Sequence, residues 1–157
     1  MENQAERFWT WTLAFYSGPG ISPAFLHLQD VHGADVNILL FLLWQASLGH
    51  AALASADFAS LDSAVATWRT EVIAPLRSLR RQLKGQGEEE VRSPIASAEL
   101  AAERSSQRRL VAALGDRPDA ATTPRETATQ GFTAYADFIG APFDPAAVAT
   151  LLDAMTQ

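Results

Sequence analysis

The chain has 157 residues, 48% of them hydrophobic, which suits one domain around one sizeable core and is too short to require two. With 18 Asp and Glu against 12 Lys and Arg its formal net charge is −6, the wrong sign for holding a phosphate backbone, so no nucleic-acid partner is expected. Cysteine is absent, which removes disulfides, thiolate nucleophiles, Cys-bound zinc and iron–sulfur clusters, and any metal would rest on His, Asp or Glu.

The opening "MENQAERFW" has no basic stretch followed by an apolar run and a small-residue cleavage site, so secretion is not expected. Phe8, Trp11 and Phe15 then share one helical face, with Trp9, Leu13 and Tyr16 on the adjoining one. This first helix ends at Ser17-Gly18-Pro19-Gly20. A short second helix is predicted from Ser22-Pro23, serine as cap and proline at the first position, to about His32, with Gly33 as its left-handed stop.

The third helix, about residues 36–48, is apolar around its whole circumference at Ile38 to Leu43 and is expected to be the central element. The longest apolar run, Ile38 to Trp44, is far short of the roughly 20 residues a membrane-spanning helix needs. A soluble cytoplasmic protein without a membrane partner is therefore expected.

A long fourth helix, about 60–84, follows from one stripe of Leu61, Val65, Trp68, Val72, Leu76, Leu79 and Leu83. Pro75 removes the hydrogen bond to Glu71 and crowds the preceding turn, which predicts a kink near residues 71 to 75. Arg77, Arg80, Arg81 and Lys84 form a basic row on its flank. "GQGEEEVRSP", residues 85 to 94, has the composition of a mobile, exposed connection within the domain. The fifth helix is predicted from about Pro94 to Leu114, and a second mobile loop from Gly115 to about Thr123. Two shorter helices close the chain. One runs around Phe132, Tyr135 and Ile139; the other is capped by Asp144-Pro145 and buries Val148, Leu151, Leu152 and Met155. No internal repeat and no strand signal is present. The reading is an all-α single domain over residues 1–157, a bundle of six to seven helices.

Two polar groups could carry chemistry. Asp30, His32, Asp35 and Asn37 fall within eight residues and could supply metal ligands or a general acid and base. The plain alternative is a helix junction, with Asp35 accepting from free amides and Asn37 in the first turn of the next helix. In "ELAAE", Glu103 falls between Leu110 and Leu114 at about 100° per residue, and Glu99 about 40° from it, so both carboxylates lie on the apolar stripe. There they need counter-charges, and Arg80, Arg81 and Lys84 of the preceding helix are the expected ones, Arg77 standing in the same row. His27 and His50 are isolated. Gly-x-Gly-x-x-Gly, Walker-type Gly-Lys-Ser/Thr, Gly-x-Ser-x-Gly and His-Glu-x-x-His are all missing, and no cofactor is expected.

"LQD", the "G-x-D-V-N" of Gly33 to Asn37, the following "LLFLLW" and the later "ELAAE" resemble a proteobacterial family, domain of unknown function 2390, over roughly residues 7 to 114. The resemblance implies a small bacterial intracellular protein and brings no established activity or catalytic residue with it.

Two functions from different classes follow. The first is a non-enzymatic module acting through a homodimer or a protein partner, motivated by more aromatic and apolar helical surface than one such bundle obviously buries. The second is a small-ligand or divalent-metal binding protein, or an enzyme, built from Asp30, His32, Asp35, Glu99 and Glu103 beside the central helix, which requires the acidic segments to converge next to an open cavity. A third would present Arg77, Arg80, Arg81 and Lys84 to an acidic partner.

Overall fold

The computed structural model describes residues 3–157. Helix α1 (Gln4–Tyr16) begins where Asn3 Oδ1 accepts from the Glu6 amide at 2.9 Å. Helix α2 (Ile21–His32) starts one residue ahead of the expected Ser22 cap: Gly20, at φ 76°, is the cap residue and Ser22 lies inside the first turn. A glycine in the left-handed region reverses the chain directly after Pro19, so Ile21 already winds and is buried. At the other end Gly33, φ 73°, donates to the Gln29 carbonyl while Ala34 donates to that of Leu28, which closes α2.

Helix α3 (Val36–Ser47) is buried without a break from Asn37 to Ala46. Phe8 of α1 stacks on Trp44 with ring centroids 4.8 Å apart. Ile38, Leu39 and Leu43 are completely covered, each such side chain contributing about 1.5–3 kcal/mol. Helix α7 (Pro124–Ile139) lies along α3 at Gly131, where a methyl group would come within 3.3 Å of Leu42 Cδ1, and helix α8 (Pro145–Met155) packs on α2. A reciprocal cap of Thr123 and Glu126 starts α7, and Asp144 caps α8.

The expected long helix runs as three consecutive segments: α4 (Ser55–Trp68), a π-helical turn (Arg69–Ile73) and α5 (Ala74–Leu83). The wide turn ends at Ala74, whose amide donates to the Arg69 carbonyl five residues back, one position before Pro75. Its surplus residue moves the inward face by one position, which corrects the expected stripe. Leu61, Val65 and then Ile73 are buried, whereas Leu79 is 44% exposed and α5 buries no residue completely. Arg77 and Arg80 take the places that Leu76 and Leu79 would hold in an unbroken α-helix.

Helix α6 (Glu89–Ala113) returns beside α4 and α5, held by Trp68 Nε1 donating to the Ala102 carbonyl at 2.9 Å. It begins five residues before the expected Pro94, so the connection shrinks to residues 84–88. Glu89 and Glu90 sit in the first turn, where negative charge is favoured, and Pro94 is accommodated inside the helix. Between α6 and α7 the chain is tied to residues 49–52: Ala51 donates to the Pro118 carbonyl, Ala120 to that of Gly49, and Arg117 to those of Ala51 and Ala52. The molecule is a single all-helical domain with no strand among the described residues, beyond one isolated bridge between His50 and Asp119. No described helix is long and apolar enough to cross a membrane.

Candidate functional site

The four polar residues of the α2–α3 junction separate. Asp30 is exposed and, among the described residues, meets only the Gln29 side chain, at 3.3 Å. The His32 ring points to the start of α8, where Nε2 accepts from the Asp144 amide at 3.3 Å beside Phe143. Asp35 caps α3, Oδ1 accepting from the Asn37 and Ile38 amides, while its second oxygen lies 2.6 Å from Arg69 Nε. Arg69 also holds Asp62 at 2.7 Å. Burial alone would lower the Arg69 pKa, but Asp35 and Asp62 outweigh it and hold the guanidinium above its ordinary value. The Tyr135 oxygen accepts from the Asp35 amide, and burial, reinforced by the Asp35 charge, pushes its hydroxyl up. Asp30 and His32 therefore do not meet Asp35, and among the described residues no group of three His, Asp or Glu side chains is arranged to hold a metal ion.

The acidic pair of α6 lies across from α5. Arg80 Nε reaches both oxygens of Glu99, at 2.9 and 3.2 Å, and Arg77 reaches Glu103 at 3.3 Å. The one-residue shift made by the π turn is what aims these two arginines at α6. Arg81 and Lys84 make no ion pair among the described residues, and Arg77 rather than Lys84 completes the set. With Arg77 and Arg80 committed to α6, the basic row does not present itself as a unit to an outside partner. Burial pushes the Glu103 carboxyl up, Arg77 pulls it down, and the charges of Glu99 and Asp35 push it up again; the net displacement is upward.

Beside these pairs opens a cleft of about 230 Å³. Its deepest lining residues, judged by burial, are Thr12, Asn37 and Leu40. One wall carries Arg77, Arg80, Arg81, Glu99 and Glu103; the remainder is Gln29, Val36, Trp9, Tyr16 and three leucines, Leu13, Leu26 and Leu100, that are 51%, 38% and 51% exposed. A contiguous hollow of about 50 Å³ shares Gln29, Asn37 and Arg77 with it and reaches Asp35 and Arg69. Arg77 thus joins the two polar centres, and the cleft stands beside α3.

Three members of this network were not singled out in the sequence: Arg69, Thr12 and Gln107. Gln107 is fully buried, its Nε2 donating to Thr12 Oγ1 at 2.9 Å and to Asn37 Oδ1 at 3.1 Å. Its signal was available in its position four residues after Glu103 and three before Leu110, on the same inward stripe. Asn37 is buried in α3 and serves no capping role, since Asp35 does that alone. A second hollow, of about 370 Å³, lies between α3 and residues 114–117, with His50 Nδ1 and Gln45 Oε1 2.7 Å apart at its side. Its cation, Arg117, is already committed to Asp57 and to backbone carbonyls. The smaller cleft is the better candidate because it keeps an arginine with no carboxylate partner.

The model of a family described as "Protein of unknown function (DUF2390)" matches residues 7–110. No curated protein and no solved structure matches the chain. The matched span contains α1 from Arg7 onward, α2 to α5 and the part of α6 that carries Glu99, Glu103 and Gln107, and so every residue that lines the cleft.

Proposed function

From the premise that this chain belongs to the DUF2390 family of proteins of unknown function, we propose that it binds a small amphipathic molecule with an anionic head in the cleft between α1, α2, α5 and α6. The observation that carries this reading is Arg81, which lines the cleft, has no carboxylate partner among the described residues, and stands beside two arginines already balanced by Glu99 and Glu103. Three arginines against two glutamates leave the cleft positive in a chain whose net charge is −6. A carboxylate or similar head meets Arg81 there, while an apolar body lies along Trp9, Tyr16 and the exposed leucines. A wide helical turn of the kind that brings Arg77 and Arg80 into the cleft wall is common beside functional sites.

Isothermal titration calorimetry with undecanoate and undecylammonium, two amphiphiles of equal length and opposite charge, tests this. The carboxylate binds, the ammonium ion does not, and Arg81→Glu weakens carboxylate binding at least about tenfold, since a favourable charge is replaced by a repulsive one. Equal binding of both amphiphiles, or indifference to Arg81→Glu, overturns the reading.

Association through spare apolar surface has less behind it. Phe8, Phe25, Phe41, Phe58, Phe132, Phe143, Trp44 and Tyr135 are all buried within the one chain, and of the aromatic side chains only Phe138 is among the exposed large apolar ones. Light scattering that found a stable dimer would restore that alternative.

A further inference from the structure

We infer that Asn37 is the specificity-determining residue of the cleft, its side-chain amide donating to a carbonyl oxygen set about one helical turn from the ligand's carboxylate, so that N-acylated amino acids are the ligand class. The inference rests on the amphipathic-anion reading and adds a second point of recognition to it.

Asn37 is 7% exposed, and what exposure it keeps is toward the cleft and its adjoining hollow. Its oxygen is occupied by Gln107 Nε2, while its amide nitrogen has no acceptor among the described residues. The orientation of this pair follows from Gln107. As it stands, the buried orphan is Gln107 Oε1. Turning the Gln107 amide over would instead bury N–H donors with no acceptor, the rarer kind of orphan in folded proteins. Gln107 therefore holds Asn37 with its oxygen inward and its two N–H groups toward the cleft. Thr12 adds to the same sense: its hydroxyl accepts from Gln107 and keeps its proton to donate.

The spacing gives the ligand class. Asn37 and Arg77 both line the cleft and the smaller hollow, and Arg81 is four residues beyond Arg77, roughly 6 Å along the axis of α5. A ligand whose carboxylate meets Arg81 and whose body runs back toward Arg77 presents its next few atoms on the side of Asn37. A fatty acid places methylene groups there and leaves the donors unmet. An N-acylated amino acid places its amide carbonyl there and continues as an acyl chain.

Calorimetric affinities for N-octanoylglycine and undecanoate, which have the same chain length and charge and differ in the amide, test this. The wild-type protein is expected to prefer N-octanoylglycine by about fivefold, the scale of one hydrogen bond to a buried donor. Asn37→Ala brings the ratio of the two affinities to about one. Gln107→Met does the same without removing any group that touches the ligand, since Gln107 acts as a positioning residue. The ratio, not either affinity, is the readout, and retained binding of either probe with an intact thermal transition shows that a variant folds. If one variant does not fold, the other reports the same ratio. Equal wild-type affinities, or an unchanged ratio in a folded variant, overturn the inference while undecanoate binding leaves the cleft reading standing. If neither probe binds the wild-type protein, both fall.

Discussion

Arg69 reaches from the π turn to Asp35, 34 residues earlier, and so joins the widest turn of the molecule to the first turn of its central helix. Asp35 performs two tasks with its two oxygens: one satisfies free amides of α3, the other neutralises a guanidinium that shares itself with Asp62.

Asp35→Ala loses both tasks, while Arg69, itself 32% exposed, keeps its contact with Asp62. We expect a loss of about 1–3 kcal/mol, combining a missing cap with one lost contact of an arginine that stays paired and partly hydrated. Asp35→Asn keeps the cap and costs less. Urea unfolding of the three proteins checks the order.

Glu103 provides a pH dependence of defined sign. Its carboxyl is raised above the ordinary 4.5 chiefly by burial, so the folded protein holds the proton more tightly than the unfolded chain. The contribution of this group is complete below the unfolded value and is lost as pH rises from there through the folded value. The difference in unfolding free energy between wild type and Glu103→Gln, followed upward from about pH 4 in buffered urea titrations, should shift against the wild type. A difference independent of pH would show that Glu103 does not titrate differently on folding.

Two glycines are expected to respond for different reasons. At Gly33 an added methyl meets nothing within 4 Å, so Gly33→Ala costs only the left-handed backbone, about 1 kcal/mol. At Gly131 the backbone is helical and alanine is intrinsically preferred, yet its methyl would press Leu42 at 3.3 Å in a covered part of the core. There the crowding outweighs the propensity gain, and Gly131→Ala should lose about 1 kcal/mol, with Gly131→Val losing more. Thermal melts of the three variants separate the two mechanisms.

The fold was legible where a single local signal decided it. The unbroken apolar run of α3 has only one place in a bundle, and Thr123, Asp144 and Gly33 mark helix ends through their own side chains or backbone freedom. The start of α6 was less legible because Gly85, Gly87 and Pro94 read as a loop, whereas Glu89 and Glu90 are good first-turn residues that let the helix begin earlier. The start of α2 depended on a glycine cap, which lacks the side-chain signature of serine. In the site, the inward phase of Glu99 and Glu103 could be counted directly along α6. The roles of Arg69 and Asn37 could not, since each depends on partners 34 and 70 residues away. The failed stripe of the long helix has one cause, a surplus residue that a fixed period of three and four does not register.

That surplus residue also determines what kind of wall the cleft has. Wound as an unbroken α-helix, the same residues would turn by about 100° beyond Ile73 and lay leucines against α6. The seam would become greasy, Glu99 and Glu103 would face hydrocarbon, and Arg80 would move to the outer place that Arg81 now holds. The polarity of this cavity is thus a matter of winding more than of composition: the arginines and leucines alternate closely enough along α5 that a single step of phase chooses between an oily joint and a charged one.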